Sequence, residues 1–179
     1  MIMKTQIWTN ESLSKYCQFI LGYPIKVVYI PKSITNGAMV AFPLYRTLVR
    51  SCNKFPRSLV WHECGHLDNS YCLYEILNTV AKKELTIKHI KENLSNYINI
   101  NKNDCNSKRS KREFENHVVS ETEAHVWAYK KAINKKYFNI AEEIIECMDY
   151  CDFDCYDIYK EAKRRILIHK DRIDKKYLI

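Results

Sequence analysis

The stretch Trp61-His62-Glu63-Cys64-Gly65-His66 contains a His-Glu-x-x-His pattern, the residues in this chain whose types and spacing could do chemistry. On a helix of 3.6 residues per turn, His62 and His66 lie one above the other, so both imidazoles can reach one metal ion. Glu63, about 100° round the same helix, can hydrogen-bond a water beside that ion and take its proton. This is the arrangement of a zinc hydrolase, with Zn2+ as the cofactor. An ordinary amphipathic helix with two satisfied histidines would also fit these five positions, so the rest of the chain must supply a third ligand.

Helical phase points to one. A helix is expected from Glu113 to about Lys135, with Phe114, Val118, Ala124, Ala128 and Ala132 on its apolar side. At about 100° per residue, Glu121 falls within about 20° of Phe114, Ala128 and Ala132, in the middle of the inward face. Glu123 is rotated about 200° from Glu121 and faces outward. His117 and His125 sit one turn either side of Glu121. An inward carboxylate is expensive to bury unless a metal or hydrogen bonds compensate it. A salt-bridged structural glutamate is the alternative. The expected set is therefore His62, His66 and Glu121 on the metal, with Glu63 as general base.

These residues need a frame. A helix should open at Asn10-Glu11-Ser12, carry Leu13, Tyr16, Cys17, Ile20 and Leu21 on its apolar stripe, and stop at Gly22 and Pro24. Ile25 to Ile30 reads as a strand and Ser33 to Gly37 as a turn. Ala38 to Phe42 and Leu44 to Cys52 read as two further extended segments, interrupted by Pro43. Asn53 to Pro56 closes this small three-stranded sheet, and Pro56 suits the first turn of the motif helix. On that helix Leu59 shares the histidine face, while Val60 and Cys64 point into the body of the domain. Gly65 costs roughly 1 kcal/mol against alanine in a helix, which fits a need for close packing beside the metal. Two helices follow, Tyr71 to Lys83 and Thr86 to Tyr97, with Thr86 as a cap. Asn99 to Arg112 reads as a basic, mobile loop. Helices over Ile140 to Tyr150 and Tyr156 to Lys170 complete the chain, with Ile144, Ile145, Met148, Cys151, Ile158, Ala162 and Ile166 on their apolar sides.

Bulk properties bound the reading. The 179 residues, 46% hydrophobic and 28% charged, suit one domain spanning residues 1–179. No secretory signal and no run of 18 apolar residues is evident, so a cytoplasmic location with no membrane partner is expected. The eight cysteines follow no disulfide framework. Cys147, Cys151 and Cys155 recur every four residues and read as a buried stripe of small apolar groups. The net charge of +8 favours acidic partners. Nucleic acid is one such partner, through the 102–112 loop and the basic end from Lys163 to Lys176, though solvated lysines explain the same charge.

The two motifs together, His62-Glu63-Cys64-Gly65-His66 and Glu121-Thr122-Glu123-Ala124-His125-Val126-Trp127-Ala128, resemble the ImmA/IrrE-type zinc metallopeptidases over about Ile25 to Ala132. The resemblance implies an α+β fold, a small three-stranded sheet packed on a mostly helical zincin-like domain, here with extra C-terminal helices. It implies His62, His66 and Glu121 as ligands of a gluzincin-like site and Glu63 as base. Its substrates would be proteins, often helix-turn-helix regulators. His125 stands where that family usually has Asn or Asp, and Trp127 where it has Phe. His125 could support a zinc histidine, or bind the metal in place of Glu121. His117, His125 or Tyr71 could stabilise the oxyanion. An extended peptide could pair with an edge strand within Ala38 to Cys52. Two other functions fit the sequence: a catalytically silent zinc-binding regulatory module, and a basic nucleic-acid-binding protein.

Overall fold

Thr9 and Ser12 cap the first helix reciprocally. The Ser12 N–H donates to Thr9 Oγ1 at 3.0 Å and the Thr9 N–H to Ser12 Oγ at 2.9 Å, which satisfies two donors that the first turn leaves open. Helix α1 (Asn10–Leu21) ends at Gly22, whose φ of 89° lies in the left-handed region that glycine adopts without strain. The computed structural model describes residues 5–31, 39–69, 86, 88, 90–91, 108–149 and 163–168. The fold is mixed α+β, a small sheet with several helices.

Strands β1 (Thr5–Ile7), β2 (Lys26–Tyr29), β3 (Met39–Phe42), β4 (Thr47–Arg50) and β5 (Lys54–Pro56) form two sheets. The larger has the order β2-β4-β3, with β2 parallel to β4 (Val27 opposite Leu48) and β3 antiparallel to it (Ala41 opposite Leu48). The anticipated three-stranded sheet is thus present. Pro43, however, does not simply bend a long extended segment. It starts a 3-10 turn, Pro43–Tyr45, that reverses the chain into the β3–β4 hairpin, with Arg46 left-handed at φ 44°. Consequently β4 begins at Thr47 and occupies the centre of the sheet, leaving β3 as an edge. The pairing of β1 with β5 was not foreseen, because three residues per strand are too few to show an alternating pattern.

Helix α2 (Arg57–Asn69) carries the first motif. Helix α3 (Lys108–Asn134) carries the second, and α4 (Phe138–Asp149) follows after a turn with Lys136 at φ 63°. Residues 163–168 are also helical. Helix α3 begins at Lys108, so residues 108–112 are helical where a loop was expected. Lysine and arginine are good helix formers and no Gly or Pro interrupts this run, so it extends the helix behind it. The other part of that loop, residues 99–107, lies outside the described residues, as do the Tyr71 to Lys83 helix and most of the Thr86 to Tyr97 helix. Where the latter is described, the Ile90 N–H donates to the Thr86 carbonyl at 3.1 Å, putting Thr86 at the head of a helical turn. The side chains of Cys147, Cys151 and Cys155 also lie outside the described set.

The pleat of β4 divides the packing. Leu48 belongs to a large core with Leu13, Cys17, Ile20, Val60, Trp61, Cys64, Ala128, Ile140, Ile144 and Ile166, so α1, α2, α3, α4 and the 163–168 segment share one apolar interior. Val49, the next residue, faces a smaller cluster with Ile30, Phe42 and Ile90. Trp61 Nε1 donates to the Tyr16 hydroxyl at 2.9 Å and so fixes α2 against α1. Cys17, Cys52 and Cys64 are unbridged, and burial pushes the Cys64 thiol well above its ordinary value. No helix among the described residues is long and apolar enough to cross a membrane.

Candidate metal centre

Helices α2 and α3 cross at Gly65. A Cβ at that position would lie 2.5 Å from the Ala124 carbonyl oxygen and 2.9 Å from its Cα. Only a hydrogen fits, so the glycine that is unfavourable for helix propensity sets the separation of the two helices. A second tie lies beside it, where Trp127 Nε1 donates to Asp68 Oδ2 at 2.7 Å. The crossing places the histidine face of α2 against the Glu121 face of α3.

His62 Nε2 and His66 Nε2 are 3.1 Å apart. Glu121 reaches both, with Oε2 3.1 Å from His62 Nε2 and Oε1 3.2 Å from His66 Nε2. Metal bonds of about 2.0–2.1 Å directed to the corners of a tetrahedron would hold donors about 3.3 Å apart. The spacing of these three side chains therefore fits a common metal ion, and two imidazoles with a carboxylate suit a borderline-soft divalent cation. An overlapping group, His62, Glu121 and His125, has its donor atoms within 4.8 Å of one another. The two groups share His62 and Glu121.

The electrostatics follow the same geometry. Burial alone would raise Glu121, but the hydrogen bonds and charges of His62 and His66 overcome it and hold its carboxyl well below the usual carboxylate range. Burial lowers His62. It would lower His66 too, yet Glu121 carries His66 above its ordinary value. Burial, with His62 adding to it, holds His125 well below its ordinary value. Neutral imidazole is the form that binds metal.

Glu63 lies beside the cluster and close enough to feel the charges of His66 and Glu121, but makes no ion pair with them. Its Oε2 accepts the Ala41 N–H of edge strand β3 at 2.9 Å, and burial pushes its carboxyl up to about 8. Glu123 faces away from the cluster and pairs with Arg165 at 2.6 Å. The His125 ring lies over that of His62, with centroids 4.0 Å apart and planes 40° from parallel. His117 lies on α3, its side chain outside the described set, and Tyr71 lies outside it altogether. Three contacts escaped the sequence reading: the Ala41 N–H on Glu63, the Ser120 hydroxyl 3.4 Å from His66 Nδ1, and the Trp127–Asp68 bond. The first belongs to the backbone and has no sequence signature. The other two pair residues 54 and 59 positions apart, which helical phase within one element does not relate.

No protein-family model matches this chain, and neither a curated protein nor a solved structure matches it.

Proposed function

We propose that the protein is a zinc-dependent metallopeptidase of the ImmA/IrrE type, cleaving peptide bonds in a cytosolic protein, with a DNA-binding regulator as the substrate class the resemblance suggests. The observation that carries this reading is the convergence of His62, His66 and Glu121 to 3.1–3.2 Å, with Glu63 on the same helix anchored to an edge strand. Zinc held by His62, His66 and Glu121 would supply a Lewis acid that brings a water's pKa towards about 7 and polarises the scissile carbonyl.

The chain's own groups do the rest. Glu63 in its ionised form takes the proton of the attacking water and returns it to the leaving amine, and burial, which pushes its carboxyl up to about 8, makes that form the minority at neutral pH. The Ala41 N–H fixes Oε2, which leaves Oε1 as the oxygen that moves the proton. No second strand pairs with β3 among the described residues, and apart from the Ala41 N–H that Glu63 takes, its outer edge could pair with an extended peptide through main-chain hydrogen bonds. Gly65 and the Trp127–Asp68 bond hold the two halves of the site in register. A protein that kept the metal only for folding would need the same cluster, and Glu63 would then serve only to tie α2 to β3.

The test uses a peptide library prepared from a digested proteome, incubated with the zinc-loaded protein and then labelled at new amino termini. New termini that vanish on chelation and return with added zinc are expected. A library unchanged by the zinc-loaded protein would count against hydrolysis.

A further inference from the structure

We propose that His125 is a fourth protein donor to the metal, occupying in the resting protein the position that hydrolysis needs; this rests on reading His62, His66 and Glu121 as a zinc site. The residue lies one helical turn from Glu121 on the same face of α3, and its side chain is buried. Its donor atom is within 4.8 Å of those of His62 and Glu121. Reaching a tetrahedral edge of about 3.3 Å takes a movement of at most roughly 1.5 Å. Turning the imidazole supplies a movement of that size, because the terminal torsion of histidine is broad and cheap to rotate.

Supporting His62 is the other task open to a polar residue here, and the geometry disfavours it. Such support is an in-plane hydrogen bond to the nitrogen that does not face the metal. The two rings instead overlap at 4.0 Å. His62 Nδ1 is buried and has no hydrogen-bond partner among the described residues. Replacement of Glu121 is disfavoured too, since that carboxylate already meets both histidines of the motif. His125 therefore adds to the three donors. Zinc sites with four protein donors are closed, and catalytic ones keep a position open. A site of this kind rests closed and opens when His125 swings away, so a peptide docked on β3 meets the metal only after this ligand has left.

Long-range proton–nitrogen NMR of the histidine rings, recorded on the full-length protein loaded with zinc, reads ligation ring by ring. Three rings with zinc-shifted nitrogens are expected in the wild type, and two in His125→Asn. Two shifted rings in the wild type, or three that all persist in His125→Asn, would overturn the proposal. If His125→Asn does not fold, His117→Asn decides: three shifted rings support His125, and two point to His117 instead. Failure of the wild type to take up zinc at all is a different outcome and removes the zinc site itself, and the proposal with it.

Discussion

Glu63→Gln will keep its metal and lose its hydrolysis. The carboxylate is outside the His62, His66 and Glu121 cluster, so exchanging it removes no metal donor. Glutamine has the same length, and its side-chain oxygen can still accept the Ala41 N–H that Glu63 accepts at 2.9 Å. It cannot accept and return a proton at neutral pH, so the cost is that of a general base, about 10²–10⁴-fold in turnover. Folding should be unharmed, because a neutral amide suits a position where burial pushes the native carboxyl up to about 8. Metal content, thermal melting and cleavage measured on one preparation separate these effects. Full hydrolysis by the variant would assign the base to another residue. Unchanged biological activity would favour a regulatory module that uses the metal without catalysis.

Gly65→Ala should disturb the site from behind. Exposed in a helix, the change would gain roughly 1 kcal/mol. Here the new methyl meets the backbone of Ala124, with its oxygen at 2.5 Å and carbonyl carbon at 3.0 Å, and no side-chain rotation can relieve the contact. Overpacking of this sort costs typically about 1–3 kcal/mol, and an unyielding partner places the cost at the upper end. A net loss of about 2 kcal/mol corresponds to roughly 4–8 °C in Tm for a chain of this size. The larger consequence is functional. Parting α2 from α3 moves His62 and His66 away from Glu121, so zinc affinity should fall about tenfold or more, as it does when the support of a metal ligand is lost. A chelator competition and a melting curve measure both. A variant that melts higher and binds zinc normally would show that the helices do not depend on this contact.

Much of this arrangement was legible from residue spacing. Helical phase separated Glu121 from Glu123 without reference to contacts, and the two lie where phase puts them, one against the histidines and the other on Arg165. Gly65 was conspicuous because it violates helix propensity, and Ala124 supplies the packing reason. What stayed hidden is of a different kind. The hairpin turn at Pro43 follows from the whole β3–β4 pairing, and the β1–β5 pair from contacts across nearly fifty residues of chain. The anchor of Glu63 is a peptide N–H, which every residue but proline possesses. Residues 108–112 misled for a compositional reason: a run of lysine and arginine without apolar periodicity reads as loop, although both residues favour helix once a neighbouring segment has nucleated it.

In the proposed site, two histidines of one helix and one glutamate of another hold a single zinc ion. Metal analysis of the purified protein beside Glu121→Ala and Glu123→Ala tests it most directly, with circular dichroism to verify that each variant is folded. The wild type and Glu123→Ala should each carry about one zinc per chain and hold it equally well in a chelator competition, and folded Glu121→Ala, left with histidine donors alone, should lose its zinc at a lower chelator concentration. Zinc held by Glu121→Ala as tightly as by the wild type, or absent from the wild type, would contradict the three-residue site.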